Sequence, residues 1–123
     1  MNQPLDTFQL EIEDAISDVS YGVDKINILT NHPETRLQKC IVILEIQTKE
    51  NVLLYIRMSL HEGFNVIEYK PLTDTKFTIS NEDTRSFDTL ANLLLNLSSS
   101  FQQLFHQQLF QRLSAIQTRV PSS

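Results

Sequence analysis

The 123 residues include two glycines, one cysteine and no tryptophan, and basic side chains are outnumbered, 10 Lys and Arg against 15 Asp and Glu. A lone cysteine forms no internal disulfide, so the fold has to be held by its core, and Cys40 is expected to be a buried, inert thiol in a reducing compartment. With only Gly22 and Gly63 there is no phosphate-cradling loop, no dinucleotide fingerprint and no nucleophile elbow. The three histidines, His32, His61 and His106, do not stand at metal-ligand spacing from another ligand residue. The expectation is therefore a chain that is not an enzyme, with no metal site and no cofactor. A net charge of −5 without clusters of Lys and Arg argues against nucleic acid as a partner. No apolar run approaches the roughly 20 residues that cross a bilayer, and the first residues do not resemble a signal peptide. No membrane association is expected, and a cytoplasmic location is, with the nucleus also open to the chain.

An apolar share of 41% and a charged share of 20% fit a chain that folds. Its length suits one domain over 1–123, with an ordered core of about 8–117 and loose ends at 1–5 and 118–123. Over residues 8–26, Ile12, Ala15, Ile16, Val19, Val23 and Ile26 recur at spacings of three and four, predicting an amphipathic helix whose last turns Ser20 and Gly22 weaken. Asn31-His32-Pro33 then breaks the pattern, so 27–37 reads as a loop.

Period-two patterning follows. Cys40, Val42, Leu44 and Ile46 share one face of a first strand, and Val52, Leu54, Ile56, Met58 and Leu60 share one face of a second. Residues 48–51 make the turn between them, Gly63 supplies a permissive backbone, and 64–69 form a third strand that Pro71 ends. Residues 76–79 are a candidate short edge strand. Ser80-Asn81-Glu82-Asp83 offers caps and first-turn acids to a helix carrying Phe87, Leu90, Leu94 and Leu97. Ser99 and Gln102 match a capping box opening a last helix over about 101–117. The fold class is α+β: an N-terminal helix, an antiparallel sheet of three or four strands, and two C-terminal helices.

The last helix is unusual. From residue 86 to the end, the only ionisable side chains are Asp88, His106, Arg112 and Arg119. At about 100° per residue, Phe105, Leu109, Leu113, Ile116 and Val120 fall within an arc of roughly 80°. Phe101, Leu104 and Ala115 lie on a neighbouring stripe and Phe110 well round the other side. That is more apolar arc than one sheet face requires. Six glutamines occupy most of the remaining positions, keeping the helix wettable without the charges that interface centres exclude. An amphipathic last helix usually packs on its own core, but this one also suits a partner's groove.

The segment from Phe105 to Gln117, FHQQLFQRLSAIQ, resembles the end of the GSKIP domain family, the glycogen synthase kinase-3 interacting proteins. In that family a leucine, then Gln-Arg-Leu, then an alanine and another aliphatic recur in this order. The segment is also similar to the helix with which axin occupies the same kinase. The likeness extends upstream through Leu10-Glu11-Ile12-Glu13, Asp18-Val19, Thr48-Lys49-Glu50, Gly63 with Val66, Ile67 and Tyr69, and Leu90.

The resemblance implies a kinase regulator that inhibits or directs glycogen synthase kinase-3, as in Wnt signalling, with Phe105, Leu109, Arg112, Leu113, Ile116 and Gln117 as binding residues. It implies a second, alternative role as an A-kinase anchoring adaptor. There Ala15, Ile16, Val19, Val23 and Ile26 of the N-terminal helix would bind the type II regulatory subunit of protein kinase A.

Overall fold

The first helix, α1 (Pro4–Val19), is followed by a 3-10 turn (Ser20–Gly22) and by four strands, β1 (Lys25–Leu29), β2 (Ile41–Gln47), β3 (Val52–Ser59) and β4 (Gly63–Pro71). Two helices complete the chain, α2 (Leu90–Leu97) and α3 (Ser99–Arg119). The structure, a computed structural model, describes residues 4–73 and 86–119; the side chains of 4, 5 and 115–119 lie outside that description. The strands pair in the order β1-β2-β3-β4, each antiparallel to the next, so the α+β class and the simple meander follow the sequence patterning.

One face of the sheet carries the core. Val42, Leu44 and Ile46 of β2 and Val52, Leu54, Ile56 and Met58 of β3 are buried against Phe8, Ile12 and Val19 of α1, Leu90, Leu93 and Leu94 of α2, and Phe101 of α3. The opposite face is more polar: Glu45 accepts from Asn27 Nδ2 at 3.1 Å and from the Tyr55 hydroxyl at 2.9 Å, joining three strands. Ile43 is fully buried outside the main core, where Thr35 from the β1–β2 connection accepts its N–H at 3.2 Å.

Four expectations are corrected in detail. The predicted helix over 8–26 ends at Val19, and Lys25–Leu29 is a strand rather than helix end and loop. Val23 and Ile26 happen to continue the helical spacing, but the polar–apolar alternation of Lys25-Ile26-Asn27-Ile28 is equally that of a strand, and pairing with β2 decides for it. The fourth strand is thus β1; the candidate edge strand at 76–79 lies outside the described residues. Cys40 does not open β2. It sits just before it in a left-handed conformation (φ 57°), closing a 3-10 turn, and is buried in the core all the same.

Phe87, the third point, precedes α2 instead of lying on it. Its backbone pairs with Phe64, giving N–H to O distances of 2.7 and 2.9 Å, and Thr89 caps the helix by accepting Asn92 N–H at 3.0 Å. The caps expected at Ser80 to Asp83 lie outside the described residues. Gly63, with φ 87°, has the Phe87 carbonyl oxygen 2.5 Å from where a Cβ would stand, so this pairing needs a residue without a side chain. Fourth, the cap of α3 is Ser98, whose hydroxyl oxygen accepts Phe101 N–H at 3.1 Å, not Ser99.

Candidate functional site: the C-terminal helix

The start of α3 is fixed by contacts that come from far along the chain. Glu50, in the β2–β3 turn, accepts from the Ser100 N–H at 2.7 Å, the Ser98 hydroxyl at 2.7 Å and the Ser99 hydroxyl at 3.3 Å. A carboxylate at a helix N-terminus satisfies an orphan N–H and meets the positive end of the helix dipole. Burial works to raise the Glu50 pKa, but the Ser100 N–H and the Ser98 hydroxyl outweigh it and hold the carboxyl below its ordinary value.

In the same turn, Phe101 is fully buried, with its ring against Gly22 and its centroid 5.6 Å from that of Tyr21. A Cβ at Gly22 would stand 2.5 Å from a Phe101 ring carbon. The glycine that seemed only to weaken a helix is what lets the 3-10 turn and α3 approach this closely.

Beyond this anchor the helix becomes exposed along most of its circumference. Phe105 still packs on the core, its ring stacked beside Phe101 with centroids 6.3 Å apart. Leu109 and Leu113 are 47% and 52% exposed, and Phe110 is 71% exposed. Arg112 is exposed and lines a groove with Ser17, Asp18, Tyr21, Phe105 and Gln108. Burial raises the Tyr21 pKa above the usual phenol value there; the Arg112 charge opposes this and the Asp18 charge adds to it. Residues 116 and 117 are on the final turns of α3, with side chains outside the described set.

The expected kinase-binding residues thus share one helix, but they are not equivalent. Phe105 is divided between core and surface, whereas Leu109, Arg112 and Leu113 stand in solvent.

The N-terminal set is dispersed. Ala15 and Ile16 are half-buried on α1 against the core, and Val19 is fully buried on its last turn. Val23 is buried in extended chain past the 3-10 turn, and Ile26 is half-buried on β1 opposite Ile46. These five do not form one helix face, because the helix on which the sequence reading placed them stops four residues before Val23.

One contributor went unnoticed in the sequence, and a second was seen but left out of the expected binding set. Glu50 is 50 residues from Ser100, and no local pattern signals a cap from a hairpin turn. Phe110 was visible as an apolar residue outside the main stripe.

Among the described residues no group of three or more His, Cys, Asp or Glu is placed to hold a metal ion. Among the same residues no helix is long and apolar enough to cross a membrane. The sequence model of the GSKIP domain matches residues 8–116, nearly the whole chain. No curated protein matches closely enough to add a narrower comparison.

Proposed function

The chain belongs to the GSKIP domain family, a family of kinase-interacting adaptors, and we propose that it binds glycogen synthase kinase-3 by laying the exposed face of α3 into an apolar groove of the kinase. The observation that carries the reading is the exposure of Leu109 and Leu113 on a helix whose first turn is fixed to the body by Glu50 and Phe101. A helix held at one end and apolar on its free side is already ordered for a groove, so less entropy is lost on docking. Arg112 sits at the edge of that side, suited to a carboxylate or carbonyl of the partner.

Burying the exposed parts of two leucines, of Phe110 or Phe105 and of the residue at 116 contributes at most about 6 to 12 kcal/mol, the limit for four fully exposed side chains, before association costs of several kcal/mol. Affinity around the micromolar range, about 8 kcal/mol, therefore needs polar contacts such as that of Arg112 as well. Occupying the kinase in this way either inhibits it or directs it to substrates, and competition with axin's similar helix is the route by which Wnt signalling would be affected. Titration of the purified kinase with the chain, followed by addition of an axin helix peptide, tests the reading. Saturable binding displaced by the peptide supports it; no binding at tens of micromolar, or binding indifferent to the peptide, refutes it.

Anchoring of protein kinase A ranks second. Val19 is fully buried and Ile12 nearly so, so presenting this side of α1 to a regulatory subunit means lifting the helix from the sheet. Each aliphatic withdrawn forfeits about 1.5 to 3 kcal/mol.

A further inference from the structure

We infer that Phe110 is itself a contact for the kinase groove, so that the docking face of α3 is centred on Leu113 between Leu109 and Phe110 rather than on the stripe that runs back to Phe105. This rests on the proposal that α3 binds glycogen synthase kinase-3. Three observations carry it.

Phe110 has the most exposed large apolar side chain among the described residues, at 71%. Isolated surface hydrophobics are ordinary, but this one neighbours Leu109 and lies one turn from Leu113, also exposed, making a contiguous apolar surface of the kind that marks an interaction site. Phe105, in contrast, is tied to the core through its stack on Phe101, so its ring cannot be given wholly to a partner.

Helical geometry gives the third. At about 100° per residue, positions 109, 113 and 110 span an arc of roughly 100° whose middle lies about 130° from Phe101, the core-facing residue. Position 117, one of those expected to bind the kinase, falls in this arc between 113 and 110. A face that reached from Phe105 to position 117 but excluded Phe110 would stop short of a ring only about 20° further round. The partner groove must then have two walls, one taking Leu109 and one taking an aromatic ring.

Affinities of the full chain and of Phe110→Ala, Phe110→Leu and Leu113→Ala for purified glycogen synthase kinase-3 test this, with thermal melts of each and sedimentation of the parent and of Phe110→Ala. The expected result is at least a tenfold loss for Phe110→Ala, partial recovery in Phe110→Leu, and a melting temperature unchanged in both. If Phe110→Ala binds as the parent does while Leu113→Ala is weakened, the inference is overturned and the proposed function stands. If neither variant weakens binding, both fall. A parent that sediments as a dimer, made monomeric by Phe110→Ala with kinase affinity intact, would assign the ring to a second copy of the chain and overturn the inference.

Discussion

Glu50 Oε2 accepts the backbone N–H of Ser100, 50 residues further along the chain, at 2.7 Å, so the tip of the β2–β3 hairpin caps α3. Hairpin and helix are held together where α3 leaves the body, and the direction of the exposed part of α3 depends on that junction.

Removing the Glu50 charge should therefore loosen α3. Glu50→Gln is expected to lose about 1 to 2 kcal/mol at pH 7 by chemical denaturation, the range for a cap combined with a charge-assisted hydrogen bond. Its carboxyl is held below the ordinary value of 4.5 in the folded state. The stabilisation is thus fully present above about pH 4.5 and is lost as pH falls through the depressed folded value. Parent and Glu50→Gln should converge in stability in acid, and a gap that stays constant from pH 7 to pH 3 would refute the assignment.

Gly22→Ala is expected to destabilise by about 1 to 3 kcal/mol, because its Cβ would stand 2.5 Å from the Phe101 ring and one of the two must shift. The coupling should be visible in a cycle with Phe101→Leu: the double variant should be more stable than the sum of the two single losses predicts. Strict additivity would mean that Gly22 acts through backbone freedom alone.

These two sites mark where the sequence was legible and where it was not. Periodicity identified β2, β3 and β4, because period-two burial on one face leaves little choice of register. It identified α3 as too apolar for core packing alone. It misread residues 23–29, because short apolar spacings suit a helix or a strand until a partner strand decides. The first-turn contacts of α3 were hidden for another reason: Gly22 and Glu50 act on residues more than 45 positions away, and only the fold brings them there. In the candidate site, Leu109 and Leu113 were legible as a stripe. Which part of that stripe the core claims, Phe105 rather than Leu109 and Leu113, depended on the packing of Phe101 against Gly22.

Cys40 should react slowly with a thiol reagent in the native protein and rapidly in denaturant, since it is only 6% exposed. Modification rates within a few-fold of each other in the two conditions would show that the segment opens readily.

Truncation of Leu113 separates binding from folding. Its side chain is 52% exposed, so truncation removes little buried surface from the chain itself, and Leu113→Ala should keep the parent's helicity and melt within a few degrees of it. In the kinase groove the same side chain lies near the middle of the apolar face, where truncation costs most. At least a tenfold loss of affinity is expected, about 1.4 kcal/mol. Phe105→Ala provides the opposite balance: because that ring packs on the core, part of its cost should appear as lost stability before any partner is added. Gln111→Ala, about 160° round the helix from Leu113, should change neither. A folded Leu113→Ala chain that binds glycogen synthase kinase-3 as tightly as the parent, with Phe110→Ala equally unaffected, would remove the basis for α3 docking.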